Sequence, residues 1–241
     1  MSMQDNYIIR RSQRAKRARI IVTAETVELV APVKMPIKLL QQFANSKSDW
    51  IVATQKKIQQ KKNSTVRLSP ELYQEESLLM FSGQQYPLYL QFTTCSRLSF
   101  NFDNAFTATL PEQLKLGCQQ ERSDLIRSTY KDWLWQQCLD KVEIVSEKYG
   151  KLYQLNPRSI RIREQKSRWG SCGIHDDIYM NWLLILAPEA VLEYVVIHEI
   201  CHIKHRNHSR NFWSLVAQHC PQYKSHRSWL RTHGASLMLG V

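Results

Sequence analysis

The sequence of 241 residues predicts an α+β fold, with a β-rich N-terminal part followed by a mainly helical part. In residues 1–110, apolar residues repeatedly alternate with other residues, and this period of two is typical of half-buried strands. Beyond that point they recur at helical spacing instead, between Ser123 and Tyr149 and again after Pro188. We therefore predict two parts, residues 1–110 and residues 111–241.

The β-rich part is predicted to contain strands and one helix. Tyr7–Arg11 and Arg19–Pro32 are rich in Ile and Val, which favour strands. Pro36 can open a helix whose apolar face extends to Ile58, and the polar segment 63–70 that follows is a predicted linker. Three alternating segments then indicate a meander of strands: Leu88–Phe92, Leu98–Phe102 and Phe106–Leu110. This part is a candidate for guarding the substrate site or recruiting the substrate.

The second part begins with an amphipathic helix from Ser123 to Tyr149, for which Gly150 is the predicted stop. Next comes a short strand around Ile160 and Ile162. A hairpin is predicted from two strands that flank a polar, glycine-containing turn, Trp169–Cys172 and Ile178–Leu186.

The helix that begins at Pro188 is apolar on nearly every side, which predicts a buried, central position. It carries the H-E-x-x-H sequence His198, Glu199 and His202. Because each helical residue advances by about 100°, the two histidines lie one turn apart on one face, where they could bind one Zn²⁺. Glu199 lies beside them, where it could take a proton from a water molecule on the metal. This combination is typical of metal-assisted hydrolysis.

A catalytic zinc usually has three protein ligands, and the third must be found elsewhere. No Asp or Glu follows Glu199, which excludes a downstream carboxylate, although an upstream acid stays open. The downstream candidates are His205, His208, His219, Cys220, His226 and His233.

His205 would lie about 10.5 Å along the same helix from His198, and three ligands on one straight helix cannot converge on one ion. Asn207 can end the helix and Ser209 can cap the next one, which places His208 in a turn. The spacing of His198, His202 and His208 also equals that of the H-E-x-x-H-x-x-G-x-x-H pattern, with His205 in place of its glycine. We therefore predict His208 as the third ligand.

The net charge of +12 is unevenly distributed. Residues 9–19 contain six basic residues and no acid, and the chain after Glu199 contains no acid at all. Such a surface attracts an anionic partner, such as a nucleotide or nucleic acid, but it is equally typical of a solvated basic face.

No apolar run is long enough to span a membrane, so we expect no membrane partner. With six cysteines lacking C-x-x-C spacing and no export signal, we expect a cytoplasmic location. Nothing in the sequence indicates the oligomeric state.

Residues 158–233 resemble the YgjP-like metallopeptidase family, which is related to the WLM and SprT-type zincins. The matching stretches are K-S-R-W-G-S-C at 166–172, N-W-L-L-I-L-A-P at 181–188, Y-V-V-I-H-E-I-C-H at 194–202 and H-S-R-N-F-W at 208–213. The resemblance implies a zincin-like catalytic part, with His198, His202 and His208 as metal ligands and Glu199 as general base. It also suggests that the Ile178–Leu186 strand lies near the cleft, where an extended peptide could pair with its edge.

Three functions follow from these observations. The first is a zinc-dependent metallopeptidase, acting on a peptide or protein, whose oxyanion could be stabilised by Arg168, Tyr223 or His226. The second is a metal-dependent hydrolase of nucleotides or other phosphate esters, which the positive charge favours. Against it, the sequence has no Gly-rich phosphate loop and no carboxylate cluster for Mg²⁺. The third is a non-catalytic binding module stabilised by its metal.

Overall fold

The structure, a computed structural model, describes residues 7–23, 25–63 and 67–241, with no side chains described for 61–63. The chain forms two compact units, Met1–Thr65 and Val66–Val241. The boundary between them lies within the predicted linker, of which residues 64–66 are outside the described residues. The predicted boundary after residue 110 lies within the second unit, because strands before that point share a hydrophobic core with helices after it. The described residues form a mixed α+β fold with six α-helices, and none of these helices is long and apolar enough to cross a membrane.

The first unit contains a three-stranded sheet and two helices. Its strands are β1 (Tyr7–Ser12), β2 (Arg19–Val22) and β3 (Val27–Pro32), and its helices are α1 (Ile37–Asn45) and α2 (Ser48–Asn63). In the order β1-β3-β2, β3 is parallel to β1 and antiparallel to β2.

The single helix predicted after Pro36 is wrong, because the chain breaks between α1 and α2. The Ser46 hydroxyl donates to the Phe43 carbonyl oxygen at 2.8 Å, and the Lys47 N–H donates to the Ala44 oxygen at 3.0 Å. Both bonds replace the regular helical pattern and end α1 there.

The second unit begins with a four-stranded sheet made of β4 (Leu78–Phe81), β5 (Gln84–Thr93), β6 (Ser99–Phe102) and β7 (Phe106–Pro111). The strand order is β4-β5-β7-β6, and β5 is parallel to β7. The predicted meander is therefore wrong, although its three strands are present. In β7 the alternating apolar residues Phe106, Ala108 and Leu110 are fully buried, and this strand takes a position inside the sheet. The half-buried β6 lies at the edge.

The long helix α3 (Gln119–Tyr153) follows a short 3₁₀ turn and contains the helix predicted from Ser123. It does not stop at Gly150, which is buried within it. It ends where Gln154 adopts a left-handed conformation with φ of 56°, and the next N–H, that of Leu155, donates to the Gly150 oxygen.

A second three-stranded sheet supports the motif helix. It contains β8 (Ser159–Arg163), β9 (Gly170–Cys172) and β10 (Asp177–Asn181), in the order β8-β10-β9. The strand predicted to run to Leu186 ends at Asn181, and a buried 3₁₀ turn, Trp182–Leu186, replaces its second half. The Asn181 side chain accepts a hydrogen bond from the Leu183 N–H at 3.2 Å, which starts that turn. β10 is paired with β8 on one side and with β9 on the other. The expectation that an extended peptide pairs with an edge of this strand is therefore wrong.

The chain ends with α4 (Glu189–Lys204), α5 (Arg210–His219) and α6 (Tyr223–Leu237). As predicted, α4 is buried on most sides, and it packs against α3, α5, α6 and β9. Its apolar surface is covered by these neighbours, so its polar residues are held in fixed positions within the core.

Candidate metal centre

The two motif histidines lie near the end of α4, with ring centroids 5.0 Å apart. The helix ends at Lys204, and His205 is extended with φ of −128° and ψ of 103°. His205 has therefore left the helix and does not belong to the histidine cluster. The helix therefore ends before Asn207, which was expected to end it. The Asn207 backbone is not left-handed, and its side chain accepts a hydrogen bond from the Ser209 N–H at 3.2 Å.

His208 lies in the loop that returns to α4, just before the Ser209 side chain caps α5. Its Nε2 is 3.0 Å from the Nε2 of His198, and its ring centroid is 4.8 Å from that of His202. The potential ligand atoms of His198, His202 and His208 all lie within 4.8 Å of one another. Tetrahedral zinc with Zn–N bonds of about 2.0–2.1 Å needs nitrogens roughly 3.3 Å apart, so the ligand atoms would have to move closer by at most about 1.5 Å to bind one ion.

The protonation of these imidazoles suits metal binding. The His205 carbonyl oxygen can only accept, so the His202 Nδ1 at 2.9 Å from it donates, and the lone pair is left on Nε2. Burial first, and then the neighbouring His202 and His208, lower the pKa of His198 to about 3. Burial also lowers the pKa of His202. Both rings are neutral at pH 7, which is the form that binds a metal.

Two aromatic side chains of α5 hold the imidazoles in place. The fully buried Phe212 stacks on His202 at 4.4 Å and contacts the edges of His198 and His208, each at 4.9 Å. Trp213 stacks on His208 at 5.6 Å with an interplanar angle of 22°. The sequence alone does not assign these two residues a role. They occupy the first turn of α5, three and four residues after the Ser209 cap.

Glu199 is buried beside the cluster, with 5% of its surface exposed. Burial raises the pKa of its carboxyl to about 8, and the positive charge of Arg168 opposes this shift. Gly170 of β9 lies against it, and a Cβ at that position would be 2.7 Å from both Cγ and Oε1 of Glu199. Only glycine fits this approach without displacing the carboxylate. Gly170 lies in the W-G-S-C stretch, but the sequence alone does not indicate this contact.

A cavity of about 370 Å³ opens beside Glu199 and His198. Its wall also contains Tyr194 of α4 and two arginines of α6, Arg227 and Arg231, which the sequence reasoning did not single out.

The three candidates for oxyanion stabilisation occupy different positions. The charge of Arg168 acts on Glu199, Tyr223 stacks on Trp213 at 5.4 Å, and the ring of His226 is 6.1 Å from that of Tyr194.

The remaining candidate ligands lie apart from the cluster. His219 stacks on Tyr153 at 3.3 Å, and His233 packs on Trp229 at 4.6 Å. Cys220 is half-buried, and burial raises its pKa, which disfavours the thiolate that binds metals.

Comparison with known proteins gives one family and one solved structure. The family model described as "YgjP-like, metallopeptidase domain" matches residues 16–233. The crystal structure of the metallopeptidase zymogen of Pyrococcus abyssi abylysin is similar to 38% of this chain and 92% of its own, with 24% identity and a TM-score of 0.36. The search of curated proteins found no match.

Proposed function

The chain belongs to the YgjP-like metallopeptidase family, and from this premise we propose that it is a zinc-dependent peptidase with a zincin-like catalytic part. His198, His202 and His208 would hold the metal, and Glu199 would be the general base. The observation that supports this most strongly is the convergence of three imidazoles next to a buried carboxyl. Three histidines are a typical ligand set for catalytic zinc, with a fourth position left for water.

Bound zinc would supply a Lewis acid that polarises the scissile carbonyl and makes water acidic near neutral pH. Glu199 would take the proton of the attacking water and later deliver it to the leaving amine. A carboxyl whose pKa is raised by burial is suited to both steps, because it holds and releases a proton near neutral pH. Gly170 keeps the space that Glu199 needs, and Phe212 keeps the imidazoles in position.

The outer edge of β9 is the place where we expect an extended peptide to bind. β9 lies at the edge of its sheet, whereas β10 is paired on both sides. It also packs against α4, with Gly170 directly beside Glu199. A peptide added to this edge by main-chain hydrogen bonds would therefore pass close to the general base.

The test is to offer metal-loaded protein an unfolded protein substrate and a panel of nucleotides, in parallel with Glu199→Gln. We expect cleavage of the protein substrate by wild type, and a loss of roughly 10²- to 10⁴-fold in Glu199→Gln with its metal retained. Phosphate release that depends on Glu199, without peptide cleavage, would show a phosphate-ester hydrolase instead. If Glu199→Gln behaved as wild type in every assay, the site would be structural.

A phosphate-ester substrate is the second candidate, because Arg227 and Arg231 line the cavity next to the metal site and would attract an anion. Arginines also bind the carboxylates of peptides, so they do not favour phosphate over an acidic peptide.

A further inference from the structure

We infer that the cavity beside Glu199 is a subsite for a carboxylate of the substrate, bound by Arg227 and Arg231. This inference rests on the proposed peptidase function and adds to it a class of substrate: peptides with an anionic group close to the scissile bond.

Both arginines lie close to the proposed catalytic residues. Arg227 and Arg231 are four residues apart on α6, and therefore share one face of that helix. α6 packs against α4, and both arginines line the same cavity as His198 and Glu199. A substrate group in this cavity would thus be next to the reacting centre. Its volume of about 370 Å³ lies in the range of roughly 300–1,000 Å³ that ligand pockets have.

The Arg227 side chain is held in place by an aromatic ring. Its guanidinium lies over the Trp213 ring, 4.9 Å from the centroid. Trp213 itself stacks on His208, so the guanidinium, the indole and the metal site form one connected group. A guanidinium that is already ordered on an aromatic ring loses less side-chain entropy when it binds a carboxylate.

The charges around Arg227 also favour a carboxylate ligand. α5 and α6 contain no Asp or Glu, and in the described part of the chain Arg227 forms no salt bridge with a carboxylate. Glu199 is the carboxylate in the cavity wall, but the arginine whose charge acts on it is Arg168. The planar guanidinium fork matches two carboxylate oxygens, which favours this group over a neutral amide of the same shape.

The test compares peptides that differ only in charge. One pair has Glu or Gln at the positions flanking the scissile bond, with an amidated C-terminus. The second pair has Gln at those positions and either a free or an amidated C-terminus. We expect wild type to prefer one of the carboxylate peptides by about 10- to 100-fold in kcat/KM. A preference in the first pair identifies a side-chain carboxylate, and a preference in the second pair identifies the terminal one.

The variants are Arg227→Gln, Arg231→Gln and Arg227→Lys, with Lys224→Gln as the matched control. Lys224 is exposed on the same helix and does not line the cavity, so its replacement removes the same charge without touching the subsite. We expect both glutamine variants to lower the preference and the control to keep it. Arg227→Lys retains the charge without the fork and should give an intermediate value. Metal content and melting temperature, measured on each variant, confirm that it is folded.

Equal cleavage of all peptides by wild type would overturn the subsite and leave the peptidase function standing. A preference that survives in the Arg227→Gln/Arg231→Gln double variant would also overturn it. No cleavage of any peptide by metal-loaded wild type would instead contradict the proposed function itself.

Discussion

Replacing Gly170 with alanine tests how closely Glu199, the proposed general base, is positioned. The new Cβ would be 2.7 Å from Cγ and Oε1 of Glu199 and 2.9 Å from its Cδ. Carbon atoms in contact are ordinarily about 3.5–4.0 Å apart, so β9 and the Glu199 side chain would have to separate by roughly 0.8–1.3 Å. Cγ is close to the backbone of the buried helix and cannot swing away as the end of a flexible side chain could.

Two free-energy effects determine the stability of Gly170→Ala. Overpacking of a well-packed region destabilises the folded state by about 1–3 kcal/mol. Alanine also restricts the unfolded chain more than glycine does, which stabilises the folded state by about 0.4–1 kcal/mol. Gly170 does not have a left-handed backbone conformation, so alanine adds no backbone strain there. We expect a net destabilisation of about 1–2 kcal/mol. Displacement of a catalytic group by about 1 Å can cost roughly 10²-fold in rate, which is the expected loss in kcat/KM.

The measurements are urea unfolding, zinc content and kcat/KM on an unfolded protein substrate. Gly173→Ala is the matched control, because a Cβ at Gly173 meets its nearest atom, the Asp177 carbonyl oxygen, at an ordinary 3.5 Å. We expect the control to resemble wild type and Gly170→Ala to keep its metal. Wild-type turnover in Gly170→Ala would refute the positioning of Glu199 by this contact. Loss of the metal in that variant would show that the contact acts on the histidines instead.

Three further predictions concern the surroundings of the site. Phe212→Ala should lower the free energy of unfolding by about 3–5 kcal/mol, measured in urea, because it leaves a cavity in the core. It should also weaken zinc affinity in a chelator competition, because it removes the ring stacked on His202. Unchanged zinc affinity would contradict this role. Asn181→Ala should lower the free energy of unfolding by about 2–4 kcal/mol, since the buried amide donates to two backbone carbonyls and accepts a hydrogen bond from one N–H. A melting temperature equal to that of wild type would contradict this prediction. Hydrogen bonds from Arg158 and then Ser159 lower the pKa of Asp177 to about 2, so the folded state favours the charged carboxylate. The stability that this carboxylate contributes is present above the ordinary pKa of 3.8 and is lost as the pH falls towards 2. Asp177→Asn should therefore be less stable than wild type at pH 6, with a difference that shrinks below pH 4, whereas a difference independent of pH would refute the assignment.

The sequence predicted helix α4 and its histidines well, because the residues that determine them lie close together in the chain. The apolar residues of α4 surround three polar residues at helical spacing, and the absence of acids after Glu199 left few choices for the third ligand. The Ser209 cap fixes where α5 begins, and His208 precedes it directly. The convergence of His208 with the two motif histidines could therefore be predicted without the fold.

The strand order and the shape of the site depend on contacts that periodicity does not encode. Alternation predicted the strands of the four-stranded sheet, but it does not specify which strands pair, and β7 came to lie between β5 and β6. The contact of Gly170 with Glu199 joins two elements distant in sequence. Arg227 and Arg231 looked like ordinary surface charges, because only the packing of α6 against α4 brings them to the cavity.

The most direct test of the metal centre is the zinc bound per chain by wild type and by His208→Ala, measured by mass spectrometry after dialysis against a weak chelator. We expect about one zinc per chain in wild type and almost none in His208→Ala, because two imidazoles alone bind zinc weakly. His205→Ala is the control and should keep its zinc, since His205 contributes only its backbone oxygen to His202. Zinc retained by His208→Ala at the wild-type level would contradict the three-histidine site.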